Sequence, residues 1–160
     1  MANTLIASTN FPTASASAVF TAIPQTFRQL MIIWWGRSVS GSGLLQFNSL
    51  TSSYYNKGVR SNNNVVGTTT GVTNGVYLGE TAIASGFMCS GLIDIPFYTE
   101  SNFKGATVRG AYIRMSDTDY YIYAGGGVNT NTDPITSLTF TTTNGGNFVA
   151  GSRVDLYGID

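Results

Sequence analysis

Ile23-Pro24-Gln25-Thr26-Phe27-Arg28-Gln29-Leu30-Met31-Ile32-Ile33-Trp34-Trp35 is the stretch on which the fold turns. Pro24 fixes its own φ and pushes Ile23 toward extended geometry, so a strand entry or turn belongs there. From Leu30 to Trp35 the chain is unbroken apolar sequence, rich in β-branched and aromatic residues. A membrane span needs roughly 20 such residues, so this run is too short for one. As a helix it would be apolar all round, uncapped, and stopped at Gly36 after little more than two turns. A strand buried on both faces is the better reading, with Phe27, Met31, Ile33 and Trp35 on one side and Leu30, Ile32 and Trp34 on the other.

Working outward, the rest of the chain has the same character. Its 160 residues suit one domain, which buries roughly 68–70% of its unfolded surface without metals or disulfides. There are 19 Gly and only 4 Pro, and Ser, Thr and Asn fill the gaps between short apolar runs. No window sustains a 3.6-residue period, so the chain reads as all-β. Strands are expected at 16–21, 27–35, 44–47, 53–60, 75–78, 87–95, 106–115, 119–124, 134–141 and 153–159, those at 16–21 and 75–78 being the slightest. Ser61 to Asn74 is the least ordered stretch, and Gly125-Gly126-Gly127 is expected to break the pattern. Tyr121 and Tyr123 point opposite to Tyr120 and Ile122, Leu138 and Phe140 point inward, and Phe148 plugs the end of the core. About eight or nine of these ten as full strands, at this spacing, predict a two-sheet antiparallel β-sandwich, jelly-roll-like. Residues 1–16 are expected as an extended N-terminal arm and 17–160 as the single sandwich domain.

Charge sets the class of partner. Charged residues make up 10% of the chain, against about 25% in ordinary domains, and eight basic residues balance eight acidic ones. The basic residues are scattered, so there is no footprint for nucleic acid. A neutral surface with little colloidal repulsion suits a protein packed against other protein; the plainer reading is a secreted or carbohydrate-facing β-domain. Cys89 is alone, in an apolar run, and reads as a core thiol. Met1 to Phe11 lacks a basic segment followed by a long apolar one, so no signal peptide is expected.

Three ordered segments carry a family resemblance. The first is Phe20-Thr21-Ala22-Ile23-Pro24-Gln25-Thr26-Phe27-Arg28-Gln29-Leu30, followed by Leu45-Gln46-Phe47-Asn48. The second is Gly91-Leu92-Ile93-Asp94-Ile95-Pro96 through Lys104-Gly105-Ala106-Thr107-Val108-Arg109-Gly110. The third is Ile135-Thr136-Ser137-Leu138-Thr139-Phe140, then Asn147-Phe148 and Leu156-Tyr157-Gly158-Ile159. Together they resemble a recurrent β-sandwich module of tailed-bacteriophage virion proteins, especially of aquatic phages. The chain departs from it in the Trp34-Trp35 pair and the Asn-rich middle. The resemblance implies a structural role and brings no catalytic residues with it.

Nor do the residues themselves suggest chemistry. With no His, the commonest general base, the Ser-His-Asp and Cys-His arrangements and most zinc sites are gone. A glycosidase would need two carboxylates in one cleft; Asp94 with Asp155 is the candidate pair, but pairing with Arg109 or Arg153 is the expected state. Asp117, Asp119 and Asp133 read as turn residues, and Asp117-Thr118-Asp119 lacks the rest of a calcium loop. Neither Gly41-Ser42-Gly43 nor Gly125-Gly126-Gly127 has the helix or the Lys of a phosphate cradle. No enzyme activity, metal or cofactor is expected.

Two functions remain. The first is a virion structural protein, made in the host bacterial cytoplasm, that decorates or cements a capsid. Its partners would be copies of itself (a homo-oligomer, a trimer among the candidates) and the major capsid or other virion proteins. A chain of this length beginning at Met1 fits that role better than a fibre tip, which usually ends a longer shaft-bearing chain. The second is a tail- or head-fibre module that binds host-surface glycan, with Tyr54, Tyr55, Tyr98, Tyr120 and Tyr121 as the interaction surface. Alternating tyrosines more often serve core and sheet surface.

Overall fold

The computed structural model describes residues 3–62, 65–70, 73–82, 88–113 and 120–160, with Asn62, Val65, Thr69, Thr70, Tyr112, Ile113 and Tyr120 described through their backbone alone. The described residues form strands and loops without a helix. Twelve strands follow in chain order: β1 (Asn3–Asn10), β2 (Ala18–Phe20), β3 (Gln29–Gly36), β4 (Ser42–Phe47), β5 (Tyr54–Asn62), β6 (Val65–Thr70), β7 (Val76–Glu80), β8 (Cys89–Pro96), β9 (Lys104–Ile113), β10 (Tyr120–Asn129), β11 (Leu138–Thr142) and β12 (Arg153–Ile159). They make two antiparallel sheets, one of eight strands in the order β1-β12-β3-β8-β9-β10-β5-β6 and one of four in the order β2-β11-β4-β7. The expected sandwich is present, with more strands than the eight or nine counted from sequence. Among the described residues no helix is long and apolar enough to cross a membrane.

The strand order is interleaved. From β1 to β4 the chain changes sheet at every step, and it does so again from β7 to β8 and from β10 through β11 to β12. The antiparallel pairs β5–β6 and β9–β10 are additions that widen the larger sheet beyond β8. β3 sits between β12 and β8. Its even side chains Leu30, Ile32 and Trp34 enter the core with Ile93, Ile95, Val154 and Leu156. From the smaller sheet come Phe20, Leu45, Phe47, Leu138 and Phe140. Phe148 closes one end of this core as expected, its ring 5.4 Å from Phe11 and 5.2 Å from Phe140.

Four expectations need correction. Met31, Ile33 and Trp35 alternate with the core residues of β3 but are only half-buried, so the strand is covered fully on one face. The N-terminal segment is extended, but Asn3–Asn10 pairs with β12 and forms the edge of the sheet instead of a free arm. Its low-complexity sequence hid it, because an edge strand buries little. Val65–Thr70 is a strand inside the stretch read as least ordered. Finally, Gly125 to Gly127 do not interrupt β10, which pairs with β5 and β9 throughout. A Cβ on Gly125 would strike the Tyr123 ring, and one on Gly127 would strike the Asn56 side chain. The glycines therefore make room for side chains lying over the strand, and they do not end it. The expected turn at Ser116 to Thr118, with Asp117 and Asp119, lies outside the described residues.

One polar pin holds the loop between β8 and β9. Lys104 is 2% exposed. Its ammonium donates to the backbone carbonyls of Glu100, of Asn102 at 2.7 Å and of Thr132 at 3.1 Å. Burial lowers its pKa, and the Asp133 and Glu100 charges pull it back up. Lys104→Met keeps the stem but leaves the carbonyls unpaired, so it is expected to lose about 2–3 kcal/mol in urea unfolding. An unchanged midpoint would mean the loop is held by other contacts.

Candidate functional surface

The uncovered outer face of the eight-stranded sheet is built by strand alternation. Where one residue enters the core, the next points away from the smaller sheet. Trp35, Ile33 and Met31 on β3 are thereby joined by Leu92 on β8, Ala111 on β9, and Ile122 and Ala124 on β10. Val59 and Val66 continue the apolar surface toward the β6 edge, with Val66 74% exposed.

Charge on the face is largely neutralised within the chain. Arg109 meets Asp94 at 3.0 Å, and Gln29 donates to the same carboxylate at 3.1 Å. Asp155, buried although it sits on the outer register, takes hydrogen bonds from Arg153 at 2.8 Å and Ser8 at 2.5 Å. The Arg153 guanidinium also lies 5.1 Å from the Trp35 ring centre. Both expected Arg–Asp pairings are thus present. The two carboxylates stand on strands separated by β3, each occupied by its own arginine. No group of three or more potential metal ligands occurs among the described residues.

The tyrosines divide sharply. Tyr54 is buried, and its hydroxyl accepts the Phe47 N–H at 2.7 Å. Tyr98 is buried and donates to the Pro24 carbonyl. Tyr121 is also in the core, whereas Tyr55 is 68% exposed. Tyr120 is described through its backbone alone, which pairs with Ile113. Three of the five candidate tyrosines are therefore buried, and among the described side chains only Tyr55 offers an exposed ring. The alternation that sets Tyr121 and Tyr123 on one face was legible; that this face and Tyr54 turn inward, against the surface role expected of Tyr54 and Tyr121, required knowing which faces of β5 and β10 meet the smaller sheet.

What sequence reasoning missed is a groove beside Tyr55. It holds about 690 Å³ and is walled by Tyr55, Lys57, Pro96, Thr107 and Val128. Tyr55, Val128 and Gly105 lie in one register row, and Lys57, Gly126 and Thr107 in the next. The glycines put bare backbone at the floor where neighbouring rows carry side chains. The Gly-Gly-Gly run was the available signal, but only cross-strand register shows which glycines face the groove.

No protein-family model matches this chain, and no curated protein sequence matches it.

Proposed function

We propose that this chain is a structural protein of a bacteriophage virion, a capsid decoration or cement protein that works by packing against other protein. One observation carries the reading: a broad sheet face bearing Trp35, Ile33, Leu92, Ile122 and Val59 stands uncovered, with Arg109 and Arg153 already paired to Asp94 and Asp155 inside the chain. Such a face loses little by being desolvated, because the paired arginines need no new counter-ion and the apolar groups gain from burial. Burying a standard interface of roughly 1,600 Å² on each of several sides would let many copies brace a shell. The interleaved strand order supports a jelly-roll reading of the sandwich. The phage module that the sequence resembles supplies the virion setting.

The role proposed is passive, without catalysis. Particles assembled with the chain are expected to resist heating or osmotic shock better than particles lacking it. Equal resistance, or absence of the chain from purified particles, overturns the proposal. A glycan-binding role now rests on Tyr55 among the described candidate rings, and the isolated chain is expected to be silent on a glycan array. Asp94→Asn and Asp155→Asn should likewise change no hydrolytic activity on glycosides.

A further inference from the structure

The β8–β9 loop presents two large rings to water on a rigid mount. Phe97 is 68% exposed and Phe103 63%. Phe97 also has a φ of 52°, a left-handed conformation that is costly for a bulky residue. The loop between them is firmly held. Tyr98 is fully buried, its carbonyl accepts the Ile135 N–H at 2.8 Å, and the Phe97 carbonyl accepts the Glu100 N–H at 3.2 Å. Lys104 ties the far end through the carbonyls already described. Scattered exposed apolar residues are ordinary; two aromatics on one pinned loop form an anchor without a seat.

A seat of matching chemistry begins two residues along the chain. The groove beside Tyr55 has Gly105 on its floor, and a Cβ there would find nothing within 4 Å. Gly105 has no left-handed φ either, so neither packing nor backbone geometry demands a glycine. Its missing side chain keeps that part of the groove floor open. The charges are complementary as well. Glu100 stands exposed on the loop between the two rings, and Lys57 stands exposed on the groove wall. Neither belongs to an ion pair among the described residues.

We propose that this end of the outer face is a two-fold self-interface. The Phe97–Phe103 loop of one copy seats in the Gly105 groove of the second, with Glu100 against Lys57. A knob beside a hole on one surface is what a two-fold requires, since each copy then gives and receives the same contact. The ion pair is made twice, at the rim of an apolar centre. The inference rests on the reading that the chain acts by packing against copies of itself, and it names where.

Sedimentation of the full chain over a range of concentrations tests it. The wild type is expected to form dimers. Lys57→Glu and Glu100→Lys should each weaken the dimer by about tenfold or more, and the double charge reversal should restore it. Gly105→Leu should abolish dimers without lowering the melting temperature, and Phe97→Ser with Phe103→Ser should do the same. A wild type that stays monomeric at every concentration overturns the interface, including the case in which it binds a glycan in that groove. Association that survives both the Gly105→Leu and single charge-reversal variants overturns the interface but leaves self-packing intact. Loss of the packing role itself would appear instead in the particle comparison above.

Discussion

Trp34→Ala is expected to lower stability by about 3–5 kcal/mol, the range for deleting a buried aromatic. The indole is 3% exposed. It lies across Gly91 of the neighbouring strand and stands 5.4 Å from the Phe140 ring at 54°, so it bridges the two sheets. Truncation opens a void that neither sheet can close, because β3 is clamped by β12 and β8 on its two sides. For a chain of this size the loss is on the order of 10 °C in melting temperature. Ile32→Ala, also fully buried, should cost about 2–5 kcal/mol. Trp34→Phe should be much milder, since the indole N–H has no hydrogen-bond partner in its buried place and nothing is lost with it. The adjacent Trp35→Ala is the control: half-buried on the outer face, it should cost about 1 kcal/mol, mainly the contact with Arg153. Equal losses at Trp34 and Trp35 would mean β3 has been given the wrong facing.

The second large effect is a loss of stability in alkali. Burial pushes the Cys89 thiol up to about 12 from 9.0, with a smaller push from Glu80. Burial does the same to the Tyr54 hydroxyl, which the Phe47 N–H partly offsets, and to the Tyr123 hydroxyl beside Tyr77; both reach about 12 from 10.0. All three folded values lie above the unfolded ones. The stabilisation is therefore fully present below about pH 9, falls as the unfolded chain begins to ionise, and is gone once pH passes the folded values near 12. Cys89 moves further from its ordinary value than either tyrosine, and the combined loss is on the order of several kcal/mol. Lys104 acts with the opposite sign: its lowered pKa means the unfolded chain holds that proton longer, which adds some stability as pH rises toward about 10.4. Near neutrality the profile should be flat, because histidine is absent. Urea midpoints measured from pH 7 to 12 are expected to hold and then drop steeply above about pH 9–10. Tyr123→Phe removes a buried hydroxyl that has no partner, so it should not weaken the protein at pH 7 and should flatten the alkaline limb. Stability that stays level to pH 12 would contradict the burial of these groups.

Much of the architecture was legible because period-two alternation and turn residues are local. β3, β4, β11 and β12 stand close to where the apolar runs placed them, and the Leu138/Phe140 facing follows directly from alternation. The Arg109–Asp94 and Arg153–Asp155 pairs were legible for a similar reason: a sheet this poor in charge leaves few alternatives. β1 and β6 were not legible, since edge strands carry little apolar signal and owe their order to the neighbour they pair with. The Gly-Gly-Gly run misled because glycine ordinarily weakens a strand; here it accommodates Tyr123 and Asn56. The tyrosines misled in the opposite direction. Their amphipathic chemistry suits a binding surface as well as a core, and only the position of the smaller sheet separates Tyr54 from Tyr55.

From composition and alternation alone came an all-β, histidine-free, charge-poor chain in which strands stack into two layers. Those properties depend on each residue and its near neighbours. Which face of β3 stays open, which glycines floor a groove, and which aromatics stand clear of the core were decided by the tertiary structure. Each depends on register between strands distant in sequence, and a one-residue slip there would move every side chain to the other face.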